Sequence, residues 1–336
     1  MNDPKVVMIG AGAMGGILAA ALARGGADLS IIDTDAVHVA AINRNGLVPR
    51  DFPPHEPISV PAMTKLEDEG WADLAVIMVP AYESEHAAAT AKQVLKETGA
   101  AVSCQNGLGN AEALIEQLGK DRVFMGSTRS SADRPNPGSP RATKVDPTTV
   151  GEFDGATSDR ATWFAETATR GGLPTSVTDN IEGVLWSKFL HNCAVNAICA
   201  VTGLRQAEIA REASLEALRD QLLAEGLAVA AAKGIALEKP DPQPHIRQHM
   251  WRKYTQPSML QMVEAGRAIE IEAINGWLVR EAEALGVDVP ANRVVAAMAR
   301  GRAQASIQAQ HMSIDYAARS AEAEEMIARG AAPWQA

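Results

Sequence analysis

Lys188, Asn192 and Asn196 stand four residues apart in an otherwise apolar run, Ile181 to Val201. In a helix each step of four advances about 400°, so the three side chains drift only about 40° per step along one face. An ammonium can stabilise negative charge growing on an oxygen and then protonate it, and carboxamides supply neutral donors and acceptors for a carboxylate or carbonyl. Placed among Trp186, Phe189, Leu190, Val195 and Ile198, three polar groups in line are costly unless they serve something. A solvated stripe is the plain alternative, and the apolar flanks argue against it. Glu270 lies between Ile269 and Ile271, which hints at a carboxylate in a partly apolar setting; pattern alone leaves an exposed helical carboxylate open. His245 and His249 are also four apart, but Arg247, Arg252 and Lys253 surround them and no zincin-type glutamate accompanies them. A solvent-facing helix is the better reading for that pair.

A second set of residues could hold a dinucleotide. Gly10-Ala11-Gly12-Ala13-Met14-Gly15 has G-x-G-x-x-G spacing. It follows an apolar run, Lys5 to Ile9, and precedes the Ala/Leu-rich stretch Ile17 to Arg24, which is the strand-to-helix context the motif requires. Gly10 permits a tight turn, Gly12 lets backbone amides approach a pyrophosphate, and Gly15 lets helix and strand pack closely. Asp33 ends the next apolar run, Asp28 to Ile32, 18 residues after Gly15. A carboxylate there accepts hydrogen bonds from both adenosine ribose hydroxyls and repels a 2′-phosphate, and Thr34 and Asp35, not an arginine, follow it. NAD(H) is therefore expected over NADP(H). A simple cap of the following helix is the alternative for Asp33.

Positioning these residues requires a particular order of elements. Strands are expected at Lys5–Ile9, Asp28–Ile32, Leu74–Val79 and Ala101–Ser103, with helices between at Tyr82–Glu97 and Ala111–Leu118. Alternation of this kind implies an α/β fold with a Rossmann-type doubly wound parallel sheet, and ligands meet such sheets beyond the carboxyl ends of the strands. Asn106, in Gln105-Asn106-Gly107-Leu108-Gly109, is placed to touch cofactor or substrate there. From Gly126 to Thr178 short strands and turns are expected, with Arg134 to Pro140 an exposed loop. From about Asn180 the chain reads as helical, ending in a last helix from Ala291 to roughly Gln310 and a fraying GAAPWQA tail after Arg329. The division is thus residues 1–179 for the dinucleotide and 180–336 for an all-helical substrate and dimerisation domain.

Composition limits the classes. The 336 residues are 46% hydrophobic and 21% charged, which suits about two globular domains. A net charge of −10 and a pI near 5.3 argue against nucleic acid as a partner. Cys104, Cys193 and Cys199 are too few and scattered for a disulfide framework or a zinc site. No export signal and no membrane span are expected, which points to the cytoplasm.

The chain resembles the ketopantoate reductase (2-dehydropantoate 2-reductase) family over nearly its whole length. The resemblance rests on the Gly10–Gly15 loop, Asn43 to Leu47, Gln105 to Gly109, and Lys188 with Asn192 and Asn196. It continues through Ser258-Met259-Leu260-Gln261, Gly266-Arg267, Glu270-Ile271-Glu272, Ile274-Asn275-Gly276 and Gly286 to Asn292. It implies a cleft between a nucleotide domain and a helical domain, in which a 2-oxo acid is reduced to a 2-hydroxy acid. By matched motif, Lys188 resembles the catalytic lysine and Glu270 the acidic residue that binds substrate. Asn106, Asn192, Asn196 and Ser258 match substrate-contacting positions.

The departures from the family pattern fall in the cofactor site and the cleft. Asp33 stands where an arginine or neutral residue is usual, and Pro80-Ala81-Tyr82 where many members carry lysine. Met262 replaces an aspartate, and Ser127 to Ala132 (STRSSA) replaces a stretch with threonine and histidine. Ketopantoate or a related small carboxylate is the expected substrate. The other readings are a 3-hydroxyacid dehydrogenase-like enzyme, which Gly183, Lys188 and Asn192 approach, and a non-catalytic NAD sensor. A homodimer is expected through the helical domain.

Overall fold

The computed structural model describes residues 3–66 and 68–329. The expected GAAPWQA tail lies outside them. The first half alternates β1 (Lys5–Ile9), α1 (Ala13–Arg24), β2 (Asp28–Ile32), α2 (Ala36–Asn45), β3 (Ala62–Met63), β4 (Ala72–Ile77), α3 (Ser84–Val94), β5 (Leu95–Ser103), α4 (Asn110–Leu118) and β6 (Val123–Thr128). It continues with β7 (Ser131–Asn136), β8 (Ser139–Lys144), β9 (Thr148–Gly151), α5 (Asp159–Arg170) and β10 (Thr175–Val177). Eight strands form one sheet in the order β10-β9-β6-β5-β4-β1-β2-β3, parallel except where β9 runs antiparallel to β6. This is the α/β, doubly wound arrangement expected from the alternation.

Both faces of the sheet are buried, which is why its central strands read as unbroken apolar runs. Val6, Met8, Leu74 and Val76 enter one core with α1 and α5, while Val7, Ile9, Ala75 and Ile77 enter the other with α3 and α4. The Asn43 to Leu47 motif is structural here. The Asn43 carboxamide exchanges two hydrogen bonds with Ala62 (2.8 and 3.0 Å), tying α2 to the edge strand, and Leu47 is fully buried.

Three sequence expectations are corrected. Arg134 to Pro140 is not an exposed loop but the turn of the β7–β8 hairpin; its prolines hid the strands, since proline normally marks a strand edge or its absence. The hairpin lies along α1, where a Cβ at Gly16 would be 2.8 Å from Pro140. The stretch 126–178 holds a helix, α5. Its threonines have low helix propensity, but Ser158 caps it and Ala161, Phe164, Ala165 and Ala168 bury one face. Finally, Ala291–Gln310 is not the last helix.

From Ile181 the chain is helical: α6 (Ile181–Thr202), α7 (Gln206–Ile209), α8 (Ala213–Ala232), α9 (Gln243–Trp251), α10 (Ser258–Glu264), α11 (Asn275–Leu285), α12 (Pro290–His311) and α13 (Tyr316–Ala328). By length and composition α6 could cross a membrane, which the sequence reading did not anticipate, but 72% of its most apolar window is buried against α8, α10, α12 and β6. Asn275 fixes it: its Nδ2 donates to the Cys193 carbonyl at 3.0 Å and to Asn292 Oδ1 at 2.9 Å. Asn292 in turn donates to the Leu222 carbonyl and to Glu225. The Ile274-Asn275-Gly276 and Gly286–Asn292 motifs therefore brace the helix that carries Lys188.

Candidate active site

The glycine loop has the shape expected of it. Gly10 has φ +86° and donates to the Ile32 carbonyl at 2.8 Å, which turns the chain out of β1. A Cβ at Gly15 would lie 2.0 Å from the Gly10 carbonyl oxygen, so helix and strand meet there without side chains. Gly12 differs. It caps α1 without any side-chain hydrogen bond, and a Cβ there would meet no described atom within 4 Å. The helix N-terminus thus offers free N–H groups beside open space, which fits a dinucleotide pyrophosphate.

Asp33 is half-buried and bound to this loop. Its Oδ2 accepts from Ala11 N at 2.8 Å and its Oδ1 from Asp35 N at 2.9 Å. Capping of α2 falls to Asp35, which accepts from Val37 and His38 N–H groups. The cap reading of Asp33 is therefore set aside. His38, absent from the sequence reading, is fully buried and joins Ala11 O to Gly138 N, 2.8 Å on each side. An acceptor faces Nε2 and a donor faces Nδ1, so the ring is neutral with its proton on Nε2.

Lys188 leaves α6 toward the carboxyl ends of the strands. It is half-buried, and its Nζ donates to the Thr128 carbonyl at the end of β6 at 2.8 Å. Burial pulls its pKa down to about 8, with Arg129 adding to the drop and Glu270 opposing it. Cys104 lies near enough to interact electrostatically, but burial pushes its thiol up to about 12, so it stays neutral. All three cysteines are buried and unpaired.

Glu270 comes from the helical half and is buried, not an exposed helical carboxylate. Its Oε1 accepts from Ala81 N at 3.1 Å, just past β4. Burial raises its pKa, and the Ala81 N–H, the Asn106 carboxamide and the Lys188 charge pull it back. Asn106, Lys188 and Glu270 thus come together where the helical half meets the strand ends. Asn192 is half-buried and Asn196 buried further along α6, and Ser258 is exposed at the start of α10, which packs on α6. His245 and His249 are exposed on α9, as expected, and the His249 ring stacks edge-on against His191 at 5.4 Å.

Sequence reasoning missed the groups that hold Asn106. Gln105 Nε2 donates to the Val79 carbonyl (2.8 Å) and Ser84 Oγ (2.9 Å), Ser84 donates to Asn110 Oδ1, and Asn110 returns to the Asn106 carbonyl at 2.6 Å. Only the QNGLG run signalled this network; Ser84 carries no local sign. Gly107 has φ +88°, and a Cβ there would be 2.6 Å from the Ala273 carbonyl oxygen, so the loop presses against the turn next to Glu270. Trp186, Phe189 and Trp277 pack edge-to-face at 5.3–5.7 Å beneath it.

Comparisons with known proteins agree with this architecture. Residues 6–155 match the family model described as ketopantoate reductase PanE/ApbA, and residues 180–303 match its C-terminal counterpart. A 2-dehydropantoate 2-reductase from Mesorhizobium japonicum is 30% identical over 323 residues, covering 88% of this chain and 96% of that protein. The crystal structure of a PanE/ApbA family ketopantoate reductase from Ralstonia eutropha JMP134 is 30% identical with a TM-score of 0.81, over 90% of this chain and 99% of that one. D-mandelate dehydrogenase, solved as a ternary structure with NADH and anilino(oxo)acetate, superposes with a TM-score of 0.80 at 22% identity, over 90% and 99% of the two chains.

Proposed function

The chain belongs to the ketopantoate reductase family of oxidoreductases, and from that premise we propose that it interconverts a small 2-oxo carboxylate and its 2-hydroxy acid, preferring NAD(H) to NADP(H). In this reading residues 1–179 hold the dinucleotide through Gly10, Ala11, Gly12, Ala13, Met14, Gly15 and Asp33, and residues 180–336 supply most of the substrate site and the homodimer contact. The bound nicotinamide supplies or accepts hydride at the substrate carbon.

The observation that carries the reading is the Lys188 ammonium held by the Thr128 carbonyl at the strand ends, with buried Glu270 near enough to act on its charge. Lys188 donates its proton to the carbonyl oxygen during reduction and takes it back during oxidation. Glu270 accepts a hydrogen bond from a substrate hydroxyl and, with Asn106, orients the reacting carbon. Asn192, Asn196 and Ser258 supply neutral donors for the substrate carboxylate. The NAD(H) preference rests on Asp33, whose carboxylate is fixed by Ala11 and Asp35 N–H groups and would repel a 2′-phosphate.

A panel of 2-oxo acids, ketopantoate included, assayed with NADH and NADPH tests both parts. Turnover with a kcat/KM at least tenfold higher for NADH is expected. A preference for NADPH overturns the cofactor reading, and turnover confined to 3-hydroxy acids overturns the substrate reading.

A further inference from the structure

Arg129 follows directly on the carbonyl that holds Lys188. Its guanidinium reaches to the helical half and meets Glu238 Oε2 at 3.0 Å. The Glu238 N–H donates to Ser187 Oγ at 3.3 Å, and Ser187 precedes Lys188. A closed circuit therefore surrounds the proton donor: the Thr128 carbonyl, Arg129, Glu238, Ser187 and back to Lys188. Arg129 thus holds the carboxylate of a residue in the connection between α8 and α9, beside the start of the helix that carries Lys188.

The pair is poorly sheltered, with 60% and 35% of the two side chains exposed. Exposed ion pairs contribute little net stability, so little is lost when one partner is replaced by another carboxylate. A guanidinium binds carboxylates through two parallel N–H bonds, a geometry that a rigid small acid can meet. The surroundings favour anions although the chain carries a net charge of −10. Lys144 and Lys253 both act on His249, and Lys239, next to Glu238, contacts the His245 ring at 3.0 Å. Against these stand Glu238 on Arg129 and Asp146 on Lys144.

We propose that Arg129 determines substrate specificity by leaving Glu238 for a second carboxylate on the substrate, so that the preferred substrate class is 2-oxo dicarboxylic acids. The proposal rests on the reading of Lys188 as the reacting group. The α-carboxylate meets Asn192, Asn196 and Ser258 and the carbonyl faces Lys188, and the distal carboxylate takes the place that Glu238 holds on Arg129.

The test compares kcat/KM for 2-oxoglutarate with that for 2-oxopentanoate, which has the same carbon count and one carboxylate fewer, using NADH. The wild-type ratio is expected to be about tenfold to a hundredfold, the range of a charge-assisted hydrogen-bonded pair. Arg129→Gln is expected to bring the ratio to near one, and Glu238→Gln to hold or raise it. A wild-type ratio near one overturns the proposal. So does an unchanged ratio in Arg129→Gln, including the case where only the NADH KM rises, which would assign Arg129 to the dinucleotide. Absence of turnover with every 2-oxo acid overturns the underlying reading and the proposal with it, whereas turnover without a charge preference overturns the proposal alone.

Discussion

In the proposed reaction Lys188 carries the proton, and its environment sets the conditions under which it would work. Burial lowers its pKa to about 8 because the charged form is the one desolvation penalises. In this reading reduction needs the ammonium, so kcat/KM for NADH-driven reduction, which reports groups of the free enzyme, is expected to fall as pH rises through about 8. Oxidation needs the free amine, so its rate is expected to rise across the same interval. Lys188→Ala is expected to remove both limbs and to lower kcat by roughly a hundredfold or more, since a positioned acid gives about 10²–10⁴. NADH binding, followed by nucleotide fluorescence, is expected to stay within a few-fold of wild type. Retention of the pH profile in the variant would assign the proton to another group.

At the scale of elements, the glycine-rich turns do the positioning. Gly107 combines φ +88° with a carbonyl 2.6 Å from where a Cβ would stand. Gly107→Ala is expected to push the Gln105–Gly109 loop off the turn that carries Glu270, at a cost of about 1–3 kcal/mol for the backbone strain. A drop in kcat/KM with a measurable fall in melting temperature checks this, and an unaltered enzyme would mean the two halves of the cleft are not braced there. Much of this scaffold was legible from residue order. Lys5–Ile9 and Asp28–Ile32 read as strands because both sheet faces are buried, and Lys188, Asn192 and Asn196 read as a line because helix periodicity is fixed. The β7–β8 hairpin and α5 were not legible, because proline and threonine lower local propensity and only packing against α1 restores the structure. Contacts such as Lys188 to Thr128 O, Ala81 N to Glu270 and the His38 bridge depend on residues 27 to 189 positions apart, and no local pattern encodes them.

For the whole molecule, the larger core runs without interruption from sheet residues Val7, Ile9 and Ile77 through Trp186 and Phe189 to Leu278 and Ala299 in the helical half. The two halves therefore share one apolar interior. Thermal unfolding of the ligand-free protein is expected to give a single cooperative calorimetric transition; two resolved transitions would show that the halves fold independently. The same construction has an evolutionary corollary. Lys188 and Glu270, both from the helical half, are each tethered to the main chain of the α/β half, a carbonyl at Thr128 and an amide at Ala81. Main-chain groups survive substitution of the residues that bear them. Side chains around these anchor points are therefore free to drift, and a lineage built this way can exchange one acid for another while its reaction machinery stays in register.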